Sequence, residues 1–313
     1  MKDGLLLFLK GIAMGGADII PGVSGGTIAF ITGIYERLIN AIKSVDVNAL
    51  VLLKQFEFKK LWEHIDGNFL AILFAGIAVS VASLARLMTY LLHAHPIQLW
   101  SFFFGLILIS AFVVARSVKN WKTANFLGLI LGVVLAYFIT SATPAETPEG
   151  YWFIFVSGAI AICAMILPGI SGSFILLILG KYQFILEGLK NFDLTIISIF
   201  MLGCVVGILS FSRLISWLLT HYHDVTVAIL AGFMIGSLNK IWPWKEVLQF
   251  RLNSKGEQVP FIERNLLPAE YLEVTGGDPY LLQAILFGAL GFFLVFAIEF
   301  INRALHPKNK KYA

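Results

Sequence analysis

Charge is scarce in this chain of 313 residues: Asp, Glu, Lys and Arg make up 13%, against 58% hydrophobic residues. That shortage excludes a water-soluble globular domain, and the mean hydropathy of +0.84 agrees. The formal net charge is only +4 and the basic residues gather beside apolar runs, so no nucleic-acid partner is expected. Cysteine is nearly absent. Cys163 and Cys204 sit in apolar runs without metal-ligand spacing and read as small hydrophobes that say nothing about redox compartment. HExxH, GxSxG and P-loop motifs are missing, which removes the commonest hydrolase and nucleotide-binding readings, and no cofactor is expected.

What the chain has is apolar length. Runs 67–93, 97–116, 122–141, 194–220 and 280–303 can each cross hydrocarbon, which takes about 20 helical residues, and 224–241 is a slightly short sixth. The N-terminus, MKDGLLLFLKGIAMGGA, has the outline of a signal peptide. Its partner segment recurs inside the chain, so cleavage would remove half of a structural unit, and it is read as part of the fold. The expected class is an all-α polytopic membrane protein in contact with membrane lipids.

A motif repeats. Shifted by 147 positions, Ile20–Tyr35 (IPGVSGGTIAFITGIY) lies over Leu167–Tyr182 (LPGISGSFILLILGKY) with eight of 16 residues identical, including the whole PG-x-SG framework. At an offset of 127, Arg86-Leu-Met-Thr-Tyr-Leu-Leu lies over Arg213-Leu-Ile-Ser-Trp-Leu-Leu, and Gly105 and Ser110 fall on Gly232 and Ser237. The extra 20 residues of the first half are mostly the amphipathic stretch 45–65, read as an interfacial helix.

Two repeats are therefore expected. Repeat one, 1–141, holds a broken or re-entrant hairpin 4–42, the connector 43–66 and spans 67–93, 97–116 and 122–141. Repeat two, 151–305, holds hairpin 151–188 and spans 194–220, 224–241 and 280–303, with an external segment 242–279. A two-legged hairpin plus three spans crosses an odd number of times, so the second repeat is inverted. Placing both termini in the cytoplasm puts Lys43, Lys54, Lys59, Lys60, Arg116, Lys119, Lys122 and the tail residues Arg303, Lys308, Lys310 and Lys311 inside, while loop 141–150 lacks Lys and Arg and falls outside. Lys190, in a short external connection, dissents. Span 280–303 also carries Glu299 four residues before Arg303, a simple helical ion pair.

Proline and glycine free backbone groups that hydrocarbon cannot satisfy, so the breaks belong inside the bundle. Half-helices starting at Ser24 and Ser171 would aim amides and positive dipole ends at a shared site, as in secondary transporters built from inverted repeats. Candidate binding residues are Ser24, Gly25, Gly26 and Thr27 in the first break and Ser171, Gly172 and Ser173 in the second. The competing reading is a pair of kinks that allow close helix packing.

Arg86 and Arg213 occupy equivalent places about two turns from the ends of apolar spans, where insertion costs about 3 kcal/mol or more. Facing inward they would fork onto a phosphate or carboxylate; otherwise they snorkel to opposite interfaces. Asp18 and Glu36 flank the first break, with Met165 and Gln183 in the matching places of the second. They are candidates to carry a coupling proton or sodium ion, or to pair Arg37 and Arg86, and the alternative is solvated or capping carboxylates. In SRLISWLLTHYHD, 212–224, the spacing of Ser-Arg, His and Asp departs from the membrane phosphatase signature, with Leu219 where its histidine belongs. His93/His95 and His221/His223 fall at turns on opposite sides and cannot share a metal.

The stretches GADIIPGVSGGTIAFITGIYERLI (16–39) and ILPGISGSFILLILGKY (166–182), with the Arg-bearing spans, resemble the PopT-like polyprenyl-phosphate transporter family, a family of bacterial and archaeal membrane proteins long classed as a domain of unknown function. The resemblance covers nearly the whole chain. It implies a plasma-membrane flippase, not an enzyme, that returns undecaprenyl phosphate from the outer to the cytoplasmic leaflet to recycle a cell-wall carrier lipid. The chemistry suits such a substrate: the phosphate cannot cross hydrocarbon unaided, while the isoprenoid tail is already at home there. The head would sit between Arg86, Arg213 and the break amides, the tail trailing through a lateral opening. A small organic anion, or a lipid phosphate destined for hydrolysis, would use similar groups. The second copy departs from the first at Ser173 and Phe174, which replace Gly26 and Thr27.

Overall fold

The computed structural model describes residues 2–20, 22–143, 147–148, 150–252 and 258–305. Pro21 and the tail lysines 308, 310 and 311 lie outside the described residues, as do the side chains of Glu299 and Arg303 and so their expected pairing.

The first half runs α1 (Lys2–Asp18), α2 (Gly25–Ile31), α3 (Tyr35–Lys43), α4 (Val47–Lys54), α5 (Phe58–His64), α6 (Gly67–Ala94), α7 (Pro96–Ala115) and α8 (Thr123–Ser141). The second runs α9 (Tyr151–Ile166), α10 (Gly172–Ile178), α11 (Tyr182–Lys190), α12 (Leu194–His221) and α13 (His223–Ser237), then strands β1 (Lys245–Leu252) and β2 (Gln258–Asn265), α14 (Pro268–Thr275) and α15 (Leu281–Leu305). Five of the described helices, α6, α7, α8, α12 and α15, are long and apolar enough to span a membrane. This is an all-α polytopic membrane protein with one small sheet. Leu202 on α12, Leu127 on α8 and Phe293 on α15 stay exposed, as hydrocarbon-facing residues do.

Helices α7 and α13 form the buried centre, contributing Ile107, Leu230, Ala231 and Met234 to the core. Around them the element pairing repeats: α1 packs on α6 as α9 packs on α12, and α7 takes α15 as α13 takes α8. Close backbone approaches mark the register. A Cβ on Gly76 would strike the Phe8 carbonyl and one on Gly203 the Phe155 carbonyl; Gly11 meets Leu73 as Gly158 meets Phe200. Those partners differ by the same 147 and 127 positions as the sequence motifs. A third offset, 159, relates α8 to α15: Gly132 abuts the Ile229 carbonyl as Gly291 abuts that of Phe102, and Gly232 abuts Leu129 as Gly105 abuts Gly288. Small residues let these backbones touch.

Three local features differ from the sequence expectation. The second leg of each broken element is two short helices joined at a glycine of positive φ, Gly33 at 72° and Gly180 at 64°; α10 and α11 meet at 109°. The connector is α4 and α5 rather than one helix, interrupted where Phe56 adopts φ 57°, with the Asp46 carboxylate capping the Ala49 amide at 3.0 Å. The segment after α13 carries an antiparallel hairpin, Lys245 opposite Asn265 and Leu252 opposite Gln258. Its alternating polar and apolar residues suit strands, though no strand was expected in an all-α chain.

Candidate functional site at the meeting of two broken helices

Both breaks turn on a glycine in the left-handed region, Gly22 at φ 88° and Gly169 at φ 91°, a conformation that side chains disfavour. Each then enters its short helix through an extended serine, Ser24 or Ser171. Beyond that shared backbone they diverge.

In the first break the amides are already held. Gly25 N–H donates to Asp18 Oδ1 at 2.6 Å and Gly26 N–H to Ser24 Oγ at 3.1 Å, while Thr27 N–H reaches the Ser24 carbonyl at 3.0 Å. The six-residue reversal folds the carboxylate of α1 back onto the positive end of α2. Sequence reasoning had offered these amides to a ligand; the fold gives them a carboxylate and a hydroxyl of the chain. Ser24, Gly25, Gly26 and Thr27 are all buried.

In the second break Ser171 makes no side-chain cap. Its Oγ lies 2.8 Å from Ser173 Oγ, Met165 stands where the first break has Asp18, and Ser173 is exposed with Gly172 half-buried.

The two breaks touch. Gly169 N–H donates to Thr27 Oγ1 at 3.0 Å, Ser24 Oγ donates to the Met165 carbonyl at 3.3 Å, and a Cβ on Gly26 would lie 2.8 Å from the Ile166 carbonyl oxygen. The amide end of α2 thus meets the carbonyl end of α9, an attractive alignment of helix dipoles.

The arginines stand apart from this junction. Arg86 is exposed, about half a turn beyond Leu84, which packs by Gly16 near the end of α1; among the described residues it has no hydrogen-bond or ion-pair partner. Arg213, also exposed, donates through Nη1 to the Leu209 carbonyl at 2.7 Å and through Nη2 to the Val45 carbonyl at 3.3 Å. Neither arginine bonds to the break residues or to the other among the described residues. Glu36 lies 3.5 Å from His223 Nε2, whose Nδ1 is 3.3 Å from Asp224. Arg37 pairs instead with Asp66, at 2.6 and 3.0 Å, because the start of α3 packs beside that of α6.

Sequence reasoning missed Lys240. Its Cγ sits 3.0 Å from where a Cβ on Gly22 would be, and its Nζ lies 4.9 Å from the Phe174 ring centroid in α10, so it borders both breaks. A lysine at the end of an apolar run reads as an ordinary interface flank, and nothing in the sequence singled it out.

With that geometry in view, the comparisons are specific. Residues 14–259, which contain both breaks, match the VCA0040-like family, described as undecaprenyl phosphate translocase-like. The chain belongs to this family. It is 50% identical over 295 residues to a polyprenyl-phosphate transporter of Vibrio cholerae serotype O1, covering 94% of this chain and 96% of the relative. A polyprenyl-phosphate transporter of Staphylococcus aureus is 33% identical over 254 residues, 75% of this chain and 85% of the relative. No solved structure matches. For the translocase-like family, description and names alike speak of movement rather than catalysis.

Proposed function

We propose that the chain carries polyprenyl phosphate, undecaprenyl phosphate in particular, from the outer to the cytoplasmic leaflet of the plasma membrane, with both termini cytoplasmic. The observation that carries this reading is 50% identity along nearly the full length of a polyprenyl-phosphate transporter, both breaks included. The physics supports it: a tail at home in hydrocarbon needs no carrier, whereas a phosphate needs a sheltered polar path. The recurring contacts at offsets 147, 127 and 159 favour two inverted repeats, 1–141 and 151–305, whose rocking exposes the site to each leaflet in turn.

The head group is handled by Arg86 and Arg213 with the polar residues of the breaks, chiefly Ser171, Gly172 and Ser173, since Ser24, Gly25, Gly26 and Thr27 serve the junction itself. Proton or sodium coupling runs through Asp18, whose carboxylate joins the end of α1 to the start of α2, with Glu36 and its partner His223 as a second candidate. A proton on Asp18 would weaken its hold on Gly25 and loosen the first break.

Reconstitution in liposomes with labelled polyprenyl phosphate tests this. Wild-type protein should move the lipid, and Arg86→Ala or Arg213→Ala should slow it at least tenfold. No movement by wild type rejects the function; normal rates in both variants reject the arginines. Asp18→Asn that keeps full dependence on an imposed proton or sodium gradient removes Asp18 from coupling.

A further inference from the structure

Beside the breaks lies a polar pocket of about 290 Å³, bounded by the end of α8, by α10, by the turn after α13 and by both strands of the hairpin. At about 30 Å³ per water it has room for roughly ten waters, a head group rather than a tail. Its charged groups are Lys240, Lys245 and Glu263. Lys240 Nζ is 3.0 Å and Lys245 Nζ 3.3 Å from the same Glu263 Oε2. Lys245 also donates to the Lys240 carbonyl at 2.7 Å and lies 4.5 Å from the Trp100 ring centroid. The lysine and glutamate side chains are 19%, 7% and 20% exposed.

Two ammonium groups thus share one carboxylate in a place largely withdrawn from water, leaving one positive charge without a counter-ion among the described residues. Among the described residues, Glu246 and Glu270 are engaged by Arg264, at 2.9 and 3.7 Å. A buried charge without a partner is expensive. Each ammonium has three donors, and among the described residues Lys240 has one hydrogen bond to fill them. Thr140, Thr143, Asn239 and Asn265 line the rest of the wall with further polar groups.

We propose that this pocket is a phosphate-binding site in which Lys240 and Lys245 jointly hold the anion, Glu263 keeping the two lysines together while the pocket is empty. Lysine serves phosphate as a point charge, needing no planar fork. Burial first, and Lys240 in addition, pull Lys245 down to about 8 against the opposing pull of Glu263, and a bound phosphate would relieve that strain. Because Lys240 packs against Gly22 and over Phe174, phosphate held here sits at the margin of both breaks. The site would therefore receive the head group before it enters the path between them. The lipid identity of that phosphate rests on the transport reading; phosphate recognition by the pocket does not.

Equilibrium binding to the full-length protein in detergent tests it, with farnesyl phosphate, inorganic phosphate and farnesol titrated separately. Farnesyl phosphate should bind and farnesol should not. Lys240→Gln and Lys245→Met should each raise the Kd for farnesyl phosphate at least tenfold, whereas Glu263→Gln should leave it equal or lower. Much tighter binding of farnesyl phosphate than of inorganic phosphate assigns the site to a lipid head group; equal affinity assigns it to free phosphate. The proposal is overturned if farnesol binds as well as farnesyl phosphate, or if both lysine variants, melting like wild type, keep the wild-type Kd. Should Lys245→Met fail to fold, Lys240→Gln alone decides. Wild-type transport in liposomes is read separately: transport with unchanged binding in the lysine variants sinks only the pocket, and binding without transport sinks only the function.

Discussion

At the first break Asp18 and Ser24 occupy the amides of Gly25 and Gly26, whereas at the second Met165 and Ser171 provide no such acceptors, although Gly22 and Gly169 turn the chain in the same way. The first is closed by a carboxylate of its own helix and buried against α9. The second leaves Ser173 exposed and has the Lys240 ammonium over its Phe174 ring. A repeated backbone device has thus been given two chemistries, an internal anion on one side and a pair of lysines sharing one carboxylate on the other. The difference teaches that symmetry of fold need not mean symmetry of role: the first break reads as a joint and the second as a receptive face.

The sharpest way to break this comparison is to remove the internal anion. Asp18→Ala leaves the buried Gly25 amide without an acceptor, and should cost about 1–3 kcal/mol of stability, seen as a lower melting temperature in detergent. Met165→Ala, at the equivalent but exposed position, should change stability by less than about 0.5 kcal/mol. Equal losses would mean that the two breaks are not chemically distinct.

The joint itself comes next. Thr27→Val keeps the shape but removes the acceptor for the buried Gly169 amide, for an expected loss of about 1–2 kcal/mol, while Thr27→Ser should restore most of it. A Thr27→Val protein that melts like wild type would show that the breaks do not depend on their mutual bond. Smaller still is the serine pair. Ser24→Ala should cost about 1 kcal/mol as a lost helix cap, and Ser171→Ala, which removes a hydroxyl that caps nothing, less than about 0.5 kcal/mol. Matching melting curves for these two variants would erase the distinction between capped and uncapped breaks.

Much of the architecture was legible in the sequence because hydrophobic length and a repeated PG-x-SG framework survive without context. The offsets 147 and 127 could be read from side chains. The offset 159 between α8 and α15 could not: there the repeat is carried by where backbones touch, at Gly132 and Gly291, and the surrounding side chains face hydrocarbon and share little. The two acids flanking the first break were visible as an asymmetry, but their partners were not. Asp18 meets Gly25 only after a reversal, and Glu36 meets His223 only because α3 packs along α12, whose end leads into His223. Lys240 and Lys245 escaped notice for a related reason, since their shared acid, Glu263, arrives on a strand that an all-α reading had no place for.

The smallest expected effect concerns the lysine side of the comparison, and its sign separates binding from stability. Lys245, Lys240 and Glu263 are the charged groups that face one another in the pocket. Burial pushes Glu263 up, but the two ammonium groups outweigh it and leave it below the usual carboxylate range, so it stays ionised throughout alkaline titration. Lys245, at about 8, is the group that changes. From pH 7 to pH 9 its charged fraction falls from about nine tenths to about one tenth, while a phosphate monoester, with its second pKa near 6, remains largely a dianion. If a neutral Lys245 weakens binding roughly tenfold, the affinity of the pocket for farnesyl phosphate should therefore drop about fivefold over that range, a change of about 0.9 kcal/mol. Stability moves the other way. Above about pH 8 the unfolded chain, whose lysine titrates in the ordinary range, holds more protons than the folded one, so this residue makes the fold more stable as pH rises toward about 10.5. Weaker binding alongside an unchanged or higher melting temperature would place the effect on Lys245, whereas an affinity that stays constant from pH 7 to pH 9 would remove that lysine from the site.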